Sequence, residues 1–240
     1  MRLISSWFAR SFVLLFGALA LSACGSNPNS AEVRWRVTVE VATPEGMRTG
    51  SSVWSWSLSR PTVALASAYD GEFRGEAVAV DLPNGKTLFA LVKGQEMIPE
   101  RQFRDLLPQR EREDRVADIL DIAANTGSTR QLPCVPKPEK GGYAFKYDCM
   151  MLVSFADAGD PTSVFEIDYH DAADSLGEGY TIQAITITIT DQEVTTGIGE
   201  RLRETGIKPN SSLDNDFDMT TNPTLAQMLG YTDFVRGTSK

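Results

Sequence analysis

The chain has 240 residues, 42% hydrophobic and 9% aromatic, which is enough apolar material for one packed domain with an elaborated end. Its formal charge of −9 excludes electrostatic capture by nucleic acid or by anionic headgroups. Of the three cysteines, none stands in a Cys-x-x-Cys pair or near the one histidine, which argues against a zinc site.

In chain order, Arg2 and Arg10 precede and flank the start of an apolar run, Phe12-Val13-Leu14-Leu15-Phe16-Gly17-Ala18-Leu19-Ala20. This is the charged and apolar pair of regions of a secretory signal. The run is shorter than the ~20 apolar residues needed to span a bilayer. Leu21-Ser22-Ala23-Cys24 follows and resembles the lipobox of bacterial lipoproteins. That resemblance implies cleavage before Cys24, favoured by the small residues Ser22 and Ala23, and lipid on the Cys24 thiol. Gly25 stands where an Asp retains many such proteins in the inner membrane, so the resemblance points to the outer membrane and a periplasm-facing domain. The alternative is an ordinary signal with an incidental cysteine, but Leu19 to Ala23 offer no good Ala-x-Ala site. Residues 1–23 are thus expected to be signal, 24–32 a lipidated polar tether, and 33–240 a single extracytoplasmic domain. Loss of Arg2 and Arg10 with the signal takes the formal charge from −9 to −11. Lipid on Cys24 is then the membrane attachment on offer, because the surface is acidic.

Val33, Trp35, Val37, Val39 and Val41 alternate with Arg34, Arg36, Thr38 and Glu40, the period of a half-buried strand. Pro44-Glu45-Gly46 predicts a turn, and Val53 to Leu58 a second strand with Trp54, Trp56 and Leu58 on one face. Ala77–Leu82 and Thr87–Val92 flank Asn84-Gly85, a strong hairpin signal. The second arm is apolar on both faces and reads as a central strand covered on both sides. Phe103, Leu106 and Leu107 have helical spacing; Asp114 caps a further helix whose stripe is Val116, Ile119, Leu120 and Ala123. The charge run Arg110-Glu111-Arg112-Glu113 between them reads as solvated surface. Ser128 to Gly142 is expected to be a loop. Strands are expected over Met150–Phe155, Val164–Asp168 and 181–190, the last with Ile185, Ile187 and Ile189 facing one way. Val194, Ile198 and Leu202 recur every four residues, a helical spacing weakened by Thr195-Thr196-Gly197 and Gly199. Asn210 to Asn222 reads as an irregular polar tail, and Leu225 to Leu229 as a last short helix. The fold class expected is α+β, mostly antiparallel β, arranged as a β-sandwich with a helical insertion.

With Cys24 committed to lipid, Cys134 and Cys149 read as one disulfide in an oxidising compartment. His170, the only histidine, lies in Asp168-Tyr169-His170-Asp171-Ala172-Ala173-Asp174. It is either part of an acid–base or metal site, or a surface turn opening a short helix; no second histidine favours the former. Asp214-Asn215-Asp216-Phe217-Asp218 starts like a calcium loop, but Met219 and Leu225 stand where an EF-hand needs Gly and Glu. Trp35, Trp54 and Trp56 can line a ligand groove, yet their spacing of two makes them core or cross-strand packing. There is no Gly-x-Ser-x-Gly, P-loop or dinucleotide fingerprint, and no cofactor or metal is implied.

Thr43-Pro44-Glu45-Gly46, Gly50-Ser51-Ser52-Val53-Trp54, Gly75 to Leu82 and Ile189 to Ile198 resemble a set of proteobacterial proteins with no assigned activity. That likeness implies no mechanism. The expected function is a membrane-anchored binding or envelope-assembly module with an envelope protein as partner. The alternative is a periplasmic hydrolase built around Asp168 and His170.

Overall fold

A computed structural model describes residues 29–60, 69–109, 114–136, 149–214 and 223–237. Cys24 and its signal, the 110–113 charge run, part of the 128–142 loop and the stretch holding Asp216 and Asp218 lie outside the described residues.

Antiparallel β-structure dominates. β1 (Ser30–Thr43) buries Ala31, Val33, Trp35, Val37, Val39 and Val41, the alternation written in its sequence. A two-residue turn at Pro44-Glu45 returns the chain as β2 (Gly46–Ser59), with Thr43 paired to Gly46. The Thr43 hydroxyl donates to the Gly46 carbonyl at 2.7 Å and fixes that turn. β9 (Thr181–Ile189) lies on the other side of β1, its Ile185, Ile187 and Ile189 buried as expected. A register shift at Glu40/Val41 interrupts that ladder. β3 (Asp70–Glu76) pairs with Ser55–Ser59 of β2, and the two-residue β10 (Val235–Arg236) pairs with β3. β6 (Thr129–Gln131) closes the opposite edge, giving the six-strand order β10-β3-β2-β1-β9-β6.

The second sheet has the order β4-β5-β7-β8, from Val78–Asp81, Thr87–Ala90, Leu152–Phe155 and Val164–Glu166. Its central β5 is covered on both faces. Leu88, Ala90 and Val92 join the main core with β1, β2 and β9, whereas Phe89 and Leu91 join a second cluster with Phe155, Leu202 and Phe234. The sheets meet where the chain leaves β3 at Glu76, turns at Ala77 and becomes β4. At this corner the edge of β4 rests on the inner face of β2. An added Cβ at Gly50 would collide with the Ala79 carbonyl oxygen, so only glycine fits.

The helices are short. α1 (Ile98–Gln102) and α2 (Arg115–Ala123) are tied by a two-point Arg115–Glu100 ion pair at 2.7 and 3.1 Å. Asp114 caps α2 by accepting from Ala117 N–H at 3.2 Å, as expected. The buried stripe of α2 is Val116, Ile119 and Ile122; Leu120 is 36% exposed, a correction to the expected face. The spacing 116/119/120/123 also fits a helix, but β1 meets the face one residue earlier. Phe103 is buried between α1 and a single 3₁₀ turn, Arg104–Leu106, in place of a continuous helix. β6 is a strand inside the expected 128–142 loop; its Thr-Arg-Gln has no apolar alternation and pairs only because β9 offers an edge. α3 (Ala172–Leu176), α4 (Ile198–Glu204), α5 (Leu225–Met228) and α6 (Tyr231–Phe234) complete the chain. α4 starts only after Gly197, so the helical period beginning at Val194 belongs to a helix without its first member.

Residues 190–197 instead form a strap. Thr190 N–H donates to the Arg34 carbonyl, the Arg36 guanidinium bonds Gln192, and Thr195 reaches the far edge of β2, exchanging two bonds with Val53. The strap therefore crosses β1 and β2 on the face opposite the core. It ends where the buried Glu76 carboxylate accepts Ile198 N–H at 2.8 Å, at the start of α4. Farther along α4, Arg201 donates to both oxygens of Asp81 at 2.6 and 3.0 Å. That guanidinium holds the Asp81 carboxyl below its ordinary range, and Thr87 helps.

Candidate functional site

The sequence singled out the segment around His170, and it has a definite geometry. β8 delivers the chain to Ile167, which is buried, and Asp168 then turns it: Asp168 Oδ1 accepts His170 N–H at 2.9 Å. α3 opens two residues later with Asp171 at its N-cap. His170 is exposed, edge-on to Tyr169 with ring centroids 5.0 Å apart. Its Nε2 lies 3.1 Å from the Cys134 carbonyl oxygen. A carbonyl only accepts, so Nε2 carries the hydrogen and donates, which leaves Nδ1 as the remaining ring nitrogen.

Cys134 and Cys149 are joined as a disulfide, with Cα atoms 4.8 Å apart and both residues buried in the main core. The His170 bond thus braces the residue at one end of the stapled segment. This ties a turn after β8 to the loop after β6, a structural use of the histidine.

The carboxylates of Glu166, Asp168, Asp171 and Asp174, with Ser175, line a shallow hollow of 190 Å³. Among the described residues no group of three or more His, Cys, Asp or Glu side chains is placed to hold a metal ion. Asp214 is anchored through its backbone N–H to the Ala226 carbonyl at 3.2 Å; the Asp216 and Asp218 of the expected acidic loop lie outside the described residues. The tryptophans resolve towards packing: Trp35 and Trp54 are fully buried and Trp56 is half-buried against the core.

Sequence reasoning gave no sign of a wider groove of 520 Å³ lined by Lys93, Ser211, Ser212, Gly230 and Asp233, among others. Lys93 and Asp233 pair at 3.2 Å, and Asp233 also accepts Gly230 N–H. Ser211 donates to the Lys208 carbonyl and Ser212 faces the Ala226 and Leu229 carbonyls, so neither serine is coupled to a base. Lys93 and Asp233 lie too far apart in sequence for any spacing rule to connect them. Among the described residues, then, the groove's Lys93 and Asp233 charges are paired with each other.

No family model, curated protein or solved structure matches this chain. The likeness to proteobacterial proteins noted in the sequence therefore adds nothing to the reading of these sites.

The geometry gives a direct expectation. His170→Asn and Asp168→Asn should each change stability by no more than about 1 kcal/mol, the size of one partly exposed hydrogen bond. Denaturant unfolding of the purified variants measures this. A cell that depends on the protein should keep its phenotype; a folded His170→Asn protein that loses it would restore the hydrolase reading.

Proposed function

We propose that the chain is a bacterial lipoprotein, anchored through lipid on Cys24 and presenting one β-rich domain to the periplasm from the outer membrane. Its work is binding or envelope assembly through its surface. The two sheets, sharing a core at the Glu76–Ala77 corner, are read here as a sandwich that supplies a rigid support for that surface. The observation that carries the non-enzymatic part is the placement of His170: exposed on a rim, with one ring nitrogen bonded to the Cys134 carbonyl. The anchoring part rests on Leu21-Ser22-Ala23-Cys24 and the short polar stretch before β1. Among the described residues no helix is long and apolar enough to cross a membrane.

Metabolic labelling with a fatty-acid analogue tests the anchor. The wild-type chain should take up label, and Cys24→Ser should take up none and remain uncut or soluble. Labelling that survives Cys24→Ser defeats this reading.

A further inference from the structure

Asn84-Gly85 is the one place in the sequence where glycine follows asparagine, and the fold gives the pair a second task besides turning the hairpin. The Gly85 N–H donates to the Leu82 carbonyl at 3.0 Å, and the Leu82 N–H donates to the Lys86 carbonyl at 2.9 Å, which closes the β4–β5 turn. Gly85 has a φ of 80°, where a side chain would be strained. The Asn84 carboxamide is held at both ends. Its Oδ1 accepts the Lys86 N–H at 3.1 Å, within the turn. Its Nδ2 donates to the Leu176 carbonyl at 2.9 Å, 92 residues away in sequence. Leu176 is the last residue of α3, so its carbonyl is one that a helix end leaves without an internal partner. With five residues, α3 is too short to be stable by itself. Ala172 and Leu176 seat it on the main core, and Asn84 ties its end to the turn.

We propose that Asn84 is a site of spontaneous deamidation, and that the reaction releases α3 from the β4–β5 turn. The Gly85 nitrogen attacks Asn84 Cγ, and no Cβ on Gly85 obstructs the approach. A new N–Cγ bond closes a cyclic imide, the Cγ–Nδ2 bond breaks, and Nδ2 leaves as ammonia with the proton that Gly85 gives up. Water then opens the imide at either carbonyl, leaving aspartate or isoaspartate at position 84. No oxidant, reductant or cofactor enters. The turn sets the rate. While the Gly85 N–H is bonded to Leu82 and the carboxamide is held by Lys86 and Leu176, the nitrogen does not reach Cγ, so attack waits for a local opening. Once formed, the product does not restore the closed state. A carboxylate has no hydrogen to donate, so two acceptors face each other where Asn84 met Leu176. Isoaspartate also lengthens the main chain inside the turn. α3 carries Asp171, Asp174 and Ser175, which line the acidic hollow with Glu166 and Asp168, so its release moves one wall of that hollow.

The test uses the purified full chain, kept in mildly alkaline buffer either folded or in urea. Peptide mass spectrometry reads amide loss at each asparagine. The expected result is conversion of Asn84 in the folded protein, about ten-fold or more slower than in urea because opening must come first. In urea Asn125, which precedes Thr126, should lag behind Asn84. Asn84→Asp supplies the product in uniform form. Its amide hydrogen exchange should be about ten-fold or more faster at Gly177, whose N–H donates to the Ala173 carbonyl in α3, and unchanged at Val37 and Ile187 in the β1–β9 ladder. Asn84→Ala, which removes the donor without adding charge, replaces Asn84→Asp if the latter fails to fold. An Asn84 that stays intact in the folded protein, equal rates folded and in urea, or an Asn84→Asp protein whose Gly177 exchange is unchanged overturns the proposal. Neither measurement depends on lipid at Cys24, so the fate of the anchor leaves this result as it stands.

Discussion

Gly50→Ala is expected to destabilise the fold by about 3 kcal/mol, far more than a methyl group on a mostly exposed strand normally costs. Gly50 sits on β2 opposite Val39, on the side of the sheet that faces the core. A Cβ there collides with the Ala79 carbonyl oxygen and stands 2.9 Å from both the Ala79 carbonyl carbon and Val80 Cγ2. Two of those atoms belong to backbone and cannot rotate away. Relief requires the second sheet to lift from the first at the corner, loosening Val80 and Leu88 in the shared core. Alanine also narrows the unfolded ensemble, which offsets only ~0.4–1 kcal/mol. Ser51→Ala, one residue on and exposed, is the control and should stay within about 0.5 kcal/mol. Urea unfolding of the three purified proteins decides it; a Gly50→Ala midpoint equal to the control contradicts the corner contact.

The same corner shows what the sequence could and could not convey. Strands with strict alternation were legible: β1 and β9 carry period-two apolar residues because one face is buried and the other solvated. β5 was legible as a central strand because its residues are apolar on both faces, and two core clusters divide them. Asp114 announces its helix by local chemistry and caps it as that chemistry requires; the Thr224 cap of α5 was not read from the sequence. β3 was missed because Asp70-Gly71-Glu72-Phe73-Arg74-Gly75-Glu76 has little apolar pattern. Its glycines lie under indole rings: Trp54 stands over Gly75, and Trp56 over Gly71. A strand whose inner face is completed by a neighbour's tryptophans looks polar when read alone. The disulfide was legible from the cysteine count and the expected export, whereas the His170–Cys134 bond was not, because it joins segments 36 residues apart.

Trp54→Ala should cost about 4 kcal/mol, well within the range for a buried aromatic, because three kinds of contact fail together. The ring is fully buried and meets Trp35 and Phe73 edge-on, with centroids 6.2 and 5.8 Å away. It covers Gly75, which has no side chain to fill the space once the indole is gone. Its Nε1–H donates to the Glu76 carbonyl at 2.7 Å, alongside the Ser52 hydroxyl at 2.8 Å. Trp54→Phe separates these terms. It keeps most of the ring contact and loses the N–H donor, while Ser52 still satisfies the Glu76 carbonyl, so its cost should be about 1–2 kcal/mol. The order matters more than either value, because Glu76 is also where β3 ends and where the carboxylate holds the start of α4. A cavity beneath Glu76 loosens the strap and the corner at once, which should free the Val53 amide that Thr195 holds. Amide hydrogen exchange of Trp54→Phe measures that consequence. Faster exchange at Val53 and Ile198, with Val37 and Ile187 unchanged, is expected. Acceleration spread evenly over β1 and β9 would mean that Trp54 supports the whole core and has no special hold on the corner.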